Sequence, residues 1–219
     1  MIRVQAFTGG TFVENGFLVT WGEGTAAVAI DPGAASSSMV RAIREEDFTL
    51  EAILLTHAHL DHVEGLPALR QVAPDAPIYL HPDDRRLYDG VDLQARAFNL
   101  PLLGTLPPPD RELAHGDELT LAGCRLEVRH APGHAPGHVI FYSREDGVAF
   151  VGDVVFQGAI GRADLVGGDF RQLMASIGSQ ILTLPDDTRL YTGHGPETTV
   201  GWERRTNPFL VGQYGDDPA

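Results

Sequence analysis

Short apolar runs alternate with amphipathic stretches along almost the whole chain. The runs at 2–7, 17–20, 26–30, 52–55, 78–80, 125–129, 139–142, 148–151 and 190–192 are short, apolar or alternating, and predict strands. Helical spacing predicts helices over 35–46, 64–72, 82–88, 170–182 and 198–205, with Pro67 admissible because it falls in a first turn. Strands and helices are interleaved throughout, which predicts the α/β class. Residues 100–110 are rich in Pro and lack periodicity, so they read as a loop, either a surface connector between two halves or a flap over a site. No internal repeat or low-complexity segment is present, and 215–219 read as a frayed tail.

The length of 219 residues, 43% of them hydrophobic, suits one domain of two αβ halves joined near 100–115. Net charge is −14, and the 16 Lys and Arg are scattered rather than clustered. No basic face is available for phosphate backbones or anionic lipid, so neither nucleic acid nor membrane is expected as a partner. The first ten residues hold one Arg and no apolar run of signal or membrane-span length, so a cytoplasmic protein is expected. Cys124 is the only cysteine, which excludes an intrachain disulfide and an all-thiolate metal site and leaves His and carboxylates as the candidate ligands.

Those ligands are conspicuous. THAHLDH, residues 56–62, directly follows an apolar run and packs His57, His59, Asp61 and His62 into one strand-to-loop transition. His57 and His59 share a face in an extended segment, and a turn into a helix brings Asp61 and His62 beside them. Imidazole and carboxylate suit Zn, Fe or Mn, and four such groups exceed what one tetrahedral ion with an open position uses, so a second ion is implied. Other strand ends supply further candidates: His134 in APGHAPGH, Asp153 in FVGD and His194 in YTGHGP, each flanked by Gly or Pro. Any one of these alone reads as an ordinary turn residue; together with THAHLDH they read as ligands. Cys124 lies in a strand-like run, and no G-x-S-x-G elbow is present, so no protein nucleophile is evident.

The series THAHLDH, APGHAPGH, Gly152-Asp153 and TGHGP resembles the metallo-β-lactamase superfamily and, within it, the glyoxalase II group. The strings GAIGRADLVGGDF and GPETTVGWERRTNPF resemble its short bacterial members, and the likeness runs from about Phe17 to Phe209. The resemblance implies a four-layer αββα sandwich with the site at one edge between the sheets. It implies His57, His59 and His134 on a first divalent ion and Asp61, His62 and His194 on a second, with Asp153 bridging. Zinc is the first expectation, iron or manganese the alternatives. A bound divalent ion lowers the pKa of water from about 15.7 toward ~7, and ions about 3.5–4 Å apart can share the hydroxide that attacks a carbonyl. Asp61 and Asp153 are therefore expected to be catalytic as well as ligating, in a hydrolase acting on small-molecule thioesters such as S-lactoylglutathione. Asp31 in AIDPG is expected behind a ligand His, and Arg162 falls where glyoxalase II enzymes carry a basic residue for glutathione. His138 reads chiefly as packing; His81, His115 and His130 read as structural, and Glu203, Arg204 and Asn207 as caps or surface ion pairs.

Two departures from the group bear on substrate. Glyoxalase II enzymes have an added C-terminal helical domain that binds glutathione, whereas this sequence ends about ten residues after TNPF; Asp164 stands where relatives have an aromatic residue. Ala135 also replaces a commoner hydroxyl residue. The main alternative is a persulfide dioxygenase with one iron on His57, His134 and Asp153; β-lactamase activity is weaker, and nuclease activity weaker still without a basic surface. Monomer and homodimer are equally compatible with the sequence.

Overall fold

The computed structural model describes residues 2–103 and 105–212. The first sheet contains β1 (Ile2–Gly9), β2 (Glu14–Trp21), β3 (Ala26–Ile30), β4 (Thr49–Leu54), β5 (Ile78–Leu80) and β6 (Arg111–Glu112), in sequence order across the sheet. From β3 onward neighbours run parallel. The crossovers carry α1 (Ser36–Glu45), α2 (Leu60–Val63), α3 (Leu66–Val72), α4 (Arg85–Asp89) and α5 (Val91–Ala97).

The chain then enters the second sheet with β7 (Glu118–Leu121), β8 (Cys124–His130), β9 (Val139–Ser143) and β10 (Val148–Gly152). A two-stranded ribbon, β11 (Val155–Phe156) and β12 (Ala159–Ile160), leads to α6 (Phe170–Ser176), which runs into a π-helical turn over Ile177–Ile181. Strands β13 (Arg189–Thr192) and β14 (Thr198–Thr199) complete the sheet in the order β14-β13-β10-β9-β8-β7, and α7 (Val200–Thr206) follows.

Three apolar layers hold these elements as an αββα sandwich. Alternation along β2 and β4 sends Phe17, Val19, Ala52 and Leu54 between the sheets, where they meet Leu126, Val128, Phe141 and Phe150. The opposite faces, Leu18 and Ile53, pack with Met39, Ile43, Leu66 and Leu69 from α1 and α3. On the far side Ile140, Tyr142 and Val151 meet Leu173, Ile177 and Val200 from α6, the π turn and α7. Strands buried on both faces read as continuous apolar runs, which is why they were visible in the sequence.

Some boundaries differ from expectation. The helix expected at 64–72 is α3, which starts at Leu66 with Pro67 in its first turn, and the short α2 before it was not expected; the 198–205 stretch opens as a strand pair before Thr199 caps α7 through its hydroxyl, which accepts from Trp202 N–H. Helix α5 was not expected: only Val91 and Ala95 of its seven residues are buried, too few to set a period. Leu100, Leu103 and Leu106 of the 100–110 loop pack against the first helical layer. None of the loop's described residues lines the cleft described below. Residues 215–219, read as a tail, lie outside the described residues.

Phe150 is fully buried between the sheets, 5.5 Å from the Phe17 ring and 5.1 Å from the Tyr191 ring. Phe150→Ala is expected to cost about 3–5 kcal/mol, read as a lower urea midpoint at unchanged m. A loss below ~1 kcal/mol would contradict this packing.

Candidate metal centre

Strands β3 and β4 are parallel, as are β10 and β13, and β8 runs antiparallel to β9, which is antiparallel to β10. The C-terminal ends of β4, β8, β10 and β13 therefore lie along one edge of the sandwich, and every candidate ligand follows such an end. His57 and His59 come after β4, with Asp61 and His62 in α2; His134 follows β8, Asp153 follows β10 and His194 follows β13.

The structure brings all seven together. His59 Nδ1 faces His134 Nε2 at 2.8 Å, and His57 joins them in a three-imidazole cluster. Asp61, His62 and His194 form a second cluster, with His194 Nε2 3.4 Å from the Asp61 carboxylate. Asp153 stands between the two, its carboxylate 3.4 Å from His62 Nε2, 3.4 Å from His134 Nε2 and 3.3 Å from His194 Nε2.

The far nitrogens show why those faces are free. His134 Nδ1 donates to the Arg162 carbonyl at 2.7 Å and His194 Nδ1 to the Phe12 carbonyl at 3.0 Å. His62 Nδ1 donates to Asp31 at 3.1 Å. His57 Nδ1 donates to the Thr56 hydroxyl at 3.0 Å, which itself donates to Asp31 at 2.6 Å. With Nδ1 tied, each Nε2 is aimed inward, where it can face an ion. His57 Nε2, His62 Nε2 and Asp153 Oδ1 are buried without a hydrogen-bond partner. Buried lone pairs facing one another are costly unless a cation satisfies them, and this donor set of imidazole and carboxylate fits divalent ions.

The two clusters differ in charge. Burial, reinforced by neighbouring imidazoles, pushes His57 well below its ordinary range and His59 down to about 3, and burial also lowers His134, so these rings are neutral. Burial opposes charge on His62 and His194 too, but there the carboxylates win. Asp153 and Asp61 hold His62 well above its ordinary range, and hydrogen bonds to the same two carboxylates lift His194 to about 10. Burial likewise opposes charge on Asp153, yet His62 and His194 keep its carboxyl well below the usual range.

Several supporting residues had no sequence signal or a misleading one. Asp31 does more than expected: besides His62 it accepts from both Thr56 N–H and Thr56 hydroxyl, so one carboxylate orients His57 and His62 together. Its φ of 46° is the left-handed region, a strain that Asp tolerates better than most residues. His138, expected as packing, stacks on His57 with ring centroids 4.7 Å apart and accepts the Asp153 N–H at 3.0 Å, fixing the central carboxylate. Asp84 is fully buried and ties two ligand loops together, accepting from Ala58 N–H at 2.8 Å and Gly137 N–H at 2.5 Å. Burial pushes its carboxyl up to about 6 against those two donors. Asn15 donates to the carbonyls of Thr192 and Gly195 on either side of His194. A Cβ at Gly193 would fall on the Asp153 carboxylate, so only glycine lets that loop pass.

Asn207 caps the C-terminus of α7 as expected, but it and Glu203 are fully buried: Glu203 accepts from Gly158 N–H, and Asn207 donates to the Ala159 carbonyl, pinning the β11–β12 ribbon. Arg204 does form the expected exposed ion pair, with Asp186. Arg162 reaches the site through its backbone carbonyl, while its exposed guanidinium makes a bidentate pair with Asp164 and holds that carboxyl down at about 2. A substrate carboxylate approaching Arg162 would meet a charge already offset. Cys124 is buried beneath the sheets as expected, its thiol pushed up to about 12 by burial, which leaves it inert. His81 and His130 stack 4.2 Å apart with Asp83 beside them, away from these clusters.

The sequence profile of the metallo-beta-lactamase superfamily matches residues 9–194, a span that contains every one of these ligands. The chain belongs to that superfamily. As a metallo-beta-lactamase superfamily protein it is a hydrolase, and its relatives are close. It is 40% identical over 199 residues to the hydroxyacylglutathione hydrolase GloC of Haemophilus influenzae, covering 91% of this chain and 93% of that protein. TTHA1623, solved in a di-iron-bound form, is 46% identical with a TM-score of 0.86 over 94% of this chain and 100% of its own. The BLEG-1 B3 metallo-beta-lactamase is 38% identical with a TM-score of 0.88, over 97% and 100%. Among the described residues no helix is long and apolar enough to cross a membrane.

Asp31→Ala removes the acceptor that orients two imidazoles and is expected to weaken metal binding roughly 10–100-fold, measured by competition with a chelator of known affinity. Asp31→Asn, which keeps one acceptor, should fall between. Affinity within twofold of the native protein for Asp31→Ala would contradict this role.

Proposed function

We propose that the protein hydrolyses small-molecule thioesters of the hydroxyacylglutathione type with two divalent ions, zinc first and iron or manganese as alternatives. His57, His59 and His134 would hold one ion and Asp61, His62 and His194 the other, with Asp153 between them. The observation that carries this reading is the position of Asp153, within 3.3–3.4 Å of imidazole nitrogens from three separate loops. The GloC relative supports the thioester, and the di-iron form of TTHA1623 supports a binuclear centre and keeps iron in view.

Two bound divalent ions supply water acidified into the neutral range and a positive pole for a carbonyl oxygen. The chain's own residues do the positioning. Asp31, Thr56 and His138 fix the ligand rings and the central carboxylate, and Asp84 holds the His57–His59 and His134 loops at constant separation. Phe12 and Phe156 stand on the cleft wall beside His194, so that side of the cluster is apolar. Among the described residues, no Ser, Cys, Lys or Tyr lines the cleft. In the overall reaction a water oxygen bonds to the acyl carbon, the carbon–sulfur bond breaks with its pair on sulfur, and carboxylate, thiol and one proton result.

The likeness to BLEG-1 supports a second reading, β-lactam hydrolysis by the same groups. The test is metal content together with a panel of S-lactoylglutathione, a chromogenic cephalosporin and glutathione persulfide with oxygen uptake monitored. The expected result is close to two ions per chain and thioester turnover, with KM for S-lactoylglutathione near or above ~1 mM and kcat lowered roughly 100-fold or more by Asp153→Asn. One iron per chain, oxygen uptake with persulfide and no thioester turnover would replace this reading with the dioxygenase; cephalosporin turnover alone would replace it with the lactamase.

A further inference from the structure

The metal-ligand cluster opens into a cleft of about 660 Å³ whose walls are almost wholly apolar. Phe12 and Phe98 meet edge to face at 5.1 Å on one side, joined by Leu87 and Leu93 from α4 and α5; Phe156 and Val166 form the other. Leu93, Phe98 and Val166 are 70%, 40% and 74% exposed, so three of the large apolar side chains left in water among the described residues converge on this one opening. Apolar side chains scattered singly over a surface need no account, whereas a group of them around a concave site marks a ligand surface.

The polar groups on the lining are largely committed. Gln94 donates to the carbonyls of Ala58 and Leu87 and accepts from Leu60 N–H, and Arg162 is paired with Asp164. Outside the ligand cluster, that leaves Arg86 as the other charged residue on the lining. A glutathione moiety brings two carboxylates, an ammonium and two amides, and Arg86 can meet only one of the carboxylates, so burying the rest here without partners is costly. An alkyl or aryl chain has no such cost, and the wall next to the ligands is aromatic: the Phe12 carbonyl holds His194, and the Phe156 ring lies 5.7 Å from the His194 ring.

Resting on the thioester reading above, we infer that the preferred substrates are thioesters with an apolar acyl group, a medium-length alkyl or an aryl chain. The chain lies along Phe12, Phe98 and Leu93 while the carbonyl meets the ligand cluster and the thiol part points to the mouth. The acyl group, rather than the thiol, sets specificity.

The test uses the full-length, metal-loaded protein and thioesters of N-acetylcysteamine running from acetyl to octanoyl. kcat/KM is expected to rise roughly two- to fourfold per methylene, the upper figure corresponding to ~0.8 kcal/mol per buried CH₂, until the cleft is filled. Leu93→Asp combined with Val166→Asp should flatten that slope, and Trp202→Asp, on exposed α7 away from the cleft, should leave it intact. Binding of the non-hydrolysable S-octyl thioether, measured by calorimetry with and without metal, gives a readout separate from turnover. Thioether affinity that climbs with chain length while no thioester is hydrolysed supports the apolar chain and overturns the thioester reading beneath it. Thioester turnover with a flat chain-length series, or S-lactoylglutathione used better than the octanoyl thioester, overturns this inference and leaves the hydrolase standing. A flat series accompanied by a concentration-dependent dimer assigns the rim to a second copy of the chain and also overturns it.

Discussion

Acceptor atoms that face one another inside a folded chain must share a cation, and the edge of this sandwich is organised around that requirement. Asp153 lies within 3.4 Å of three imidazole nitrogens, and three acceptors in the same cluster are buried without partners. Such an arrangement would be expelled from an ordinary core. It persists here because each ligand sits at the C-terminal end of a strand whose other residues are locked into one of the three apolar layers. Core packing supplies the rigidity, and the strand ends inherit it.

The means of holding the ligands are correspondingly strict. Asp31 accepts left-handed backbone geometry to orient two rings at once, and a side chain at Gly193 would displace the central carboxylate. Asp84 and Asn15 do not reach the ligand atoms, yet each ties down backbone on either side of a ligand. Through the Phe12 carbonyl the same framework extends to the wall of the cleft, so the residue whose ring lines it also holds the imidazole beneath.

Much of this was legible in the sequence, and the reason is local. THAHLDH places four ligands in one turn, and His134, Asp153 and His194 each follow an apolar run beside a glycine or proline, so strand ends and ligands announce one another. Strands such as β3, β9 and β10 were visible because both faces are buried, and β8 because its buried and exposed residues alternate. Residues that act at long sequence distance were not. Asp84 lies 26 residues from Ala58 and 53 from Gly137, and nothing near it distinguishes a clamp from a helix-start aspartate. Asn15 meets Thr192 across 177 residues. Helix α5 was hidden because its outer face stays apolar where it borders the cleft, which blurs the helical period: Leu93 is exposed where amphipathic spacing demands a polar residue. An exposed ion pair was one of two readings open for Arg162, but Asp164 as its partner was not legible, since two residues apart in a loop they meet only through the local turn.

The asymmetry between neutral and protonated imidazoles gives the sharpest test. The Asp61 and Asp153 carboxylates favour the protonated forms of His62 and His194 in the metal-free protein, so filling the Asp61–His62–His194 cluster displaces those protons, and affinity there falls as pH is lowered. The neutral rings of His57, His59 and His134 take up an ion without that loss. Calorimetric titration of the metal-free protein at neutral pH, repeated in buffers of different ionisation enthalpy, reads the protons directly. The account predicts two ions per chain, with release of about two protons concentrated in one of the two binding steps. A single ion bound with no proton release would contradict it.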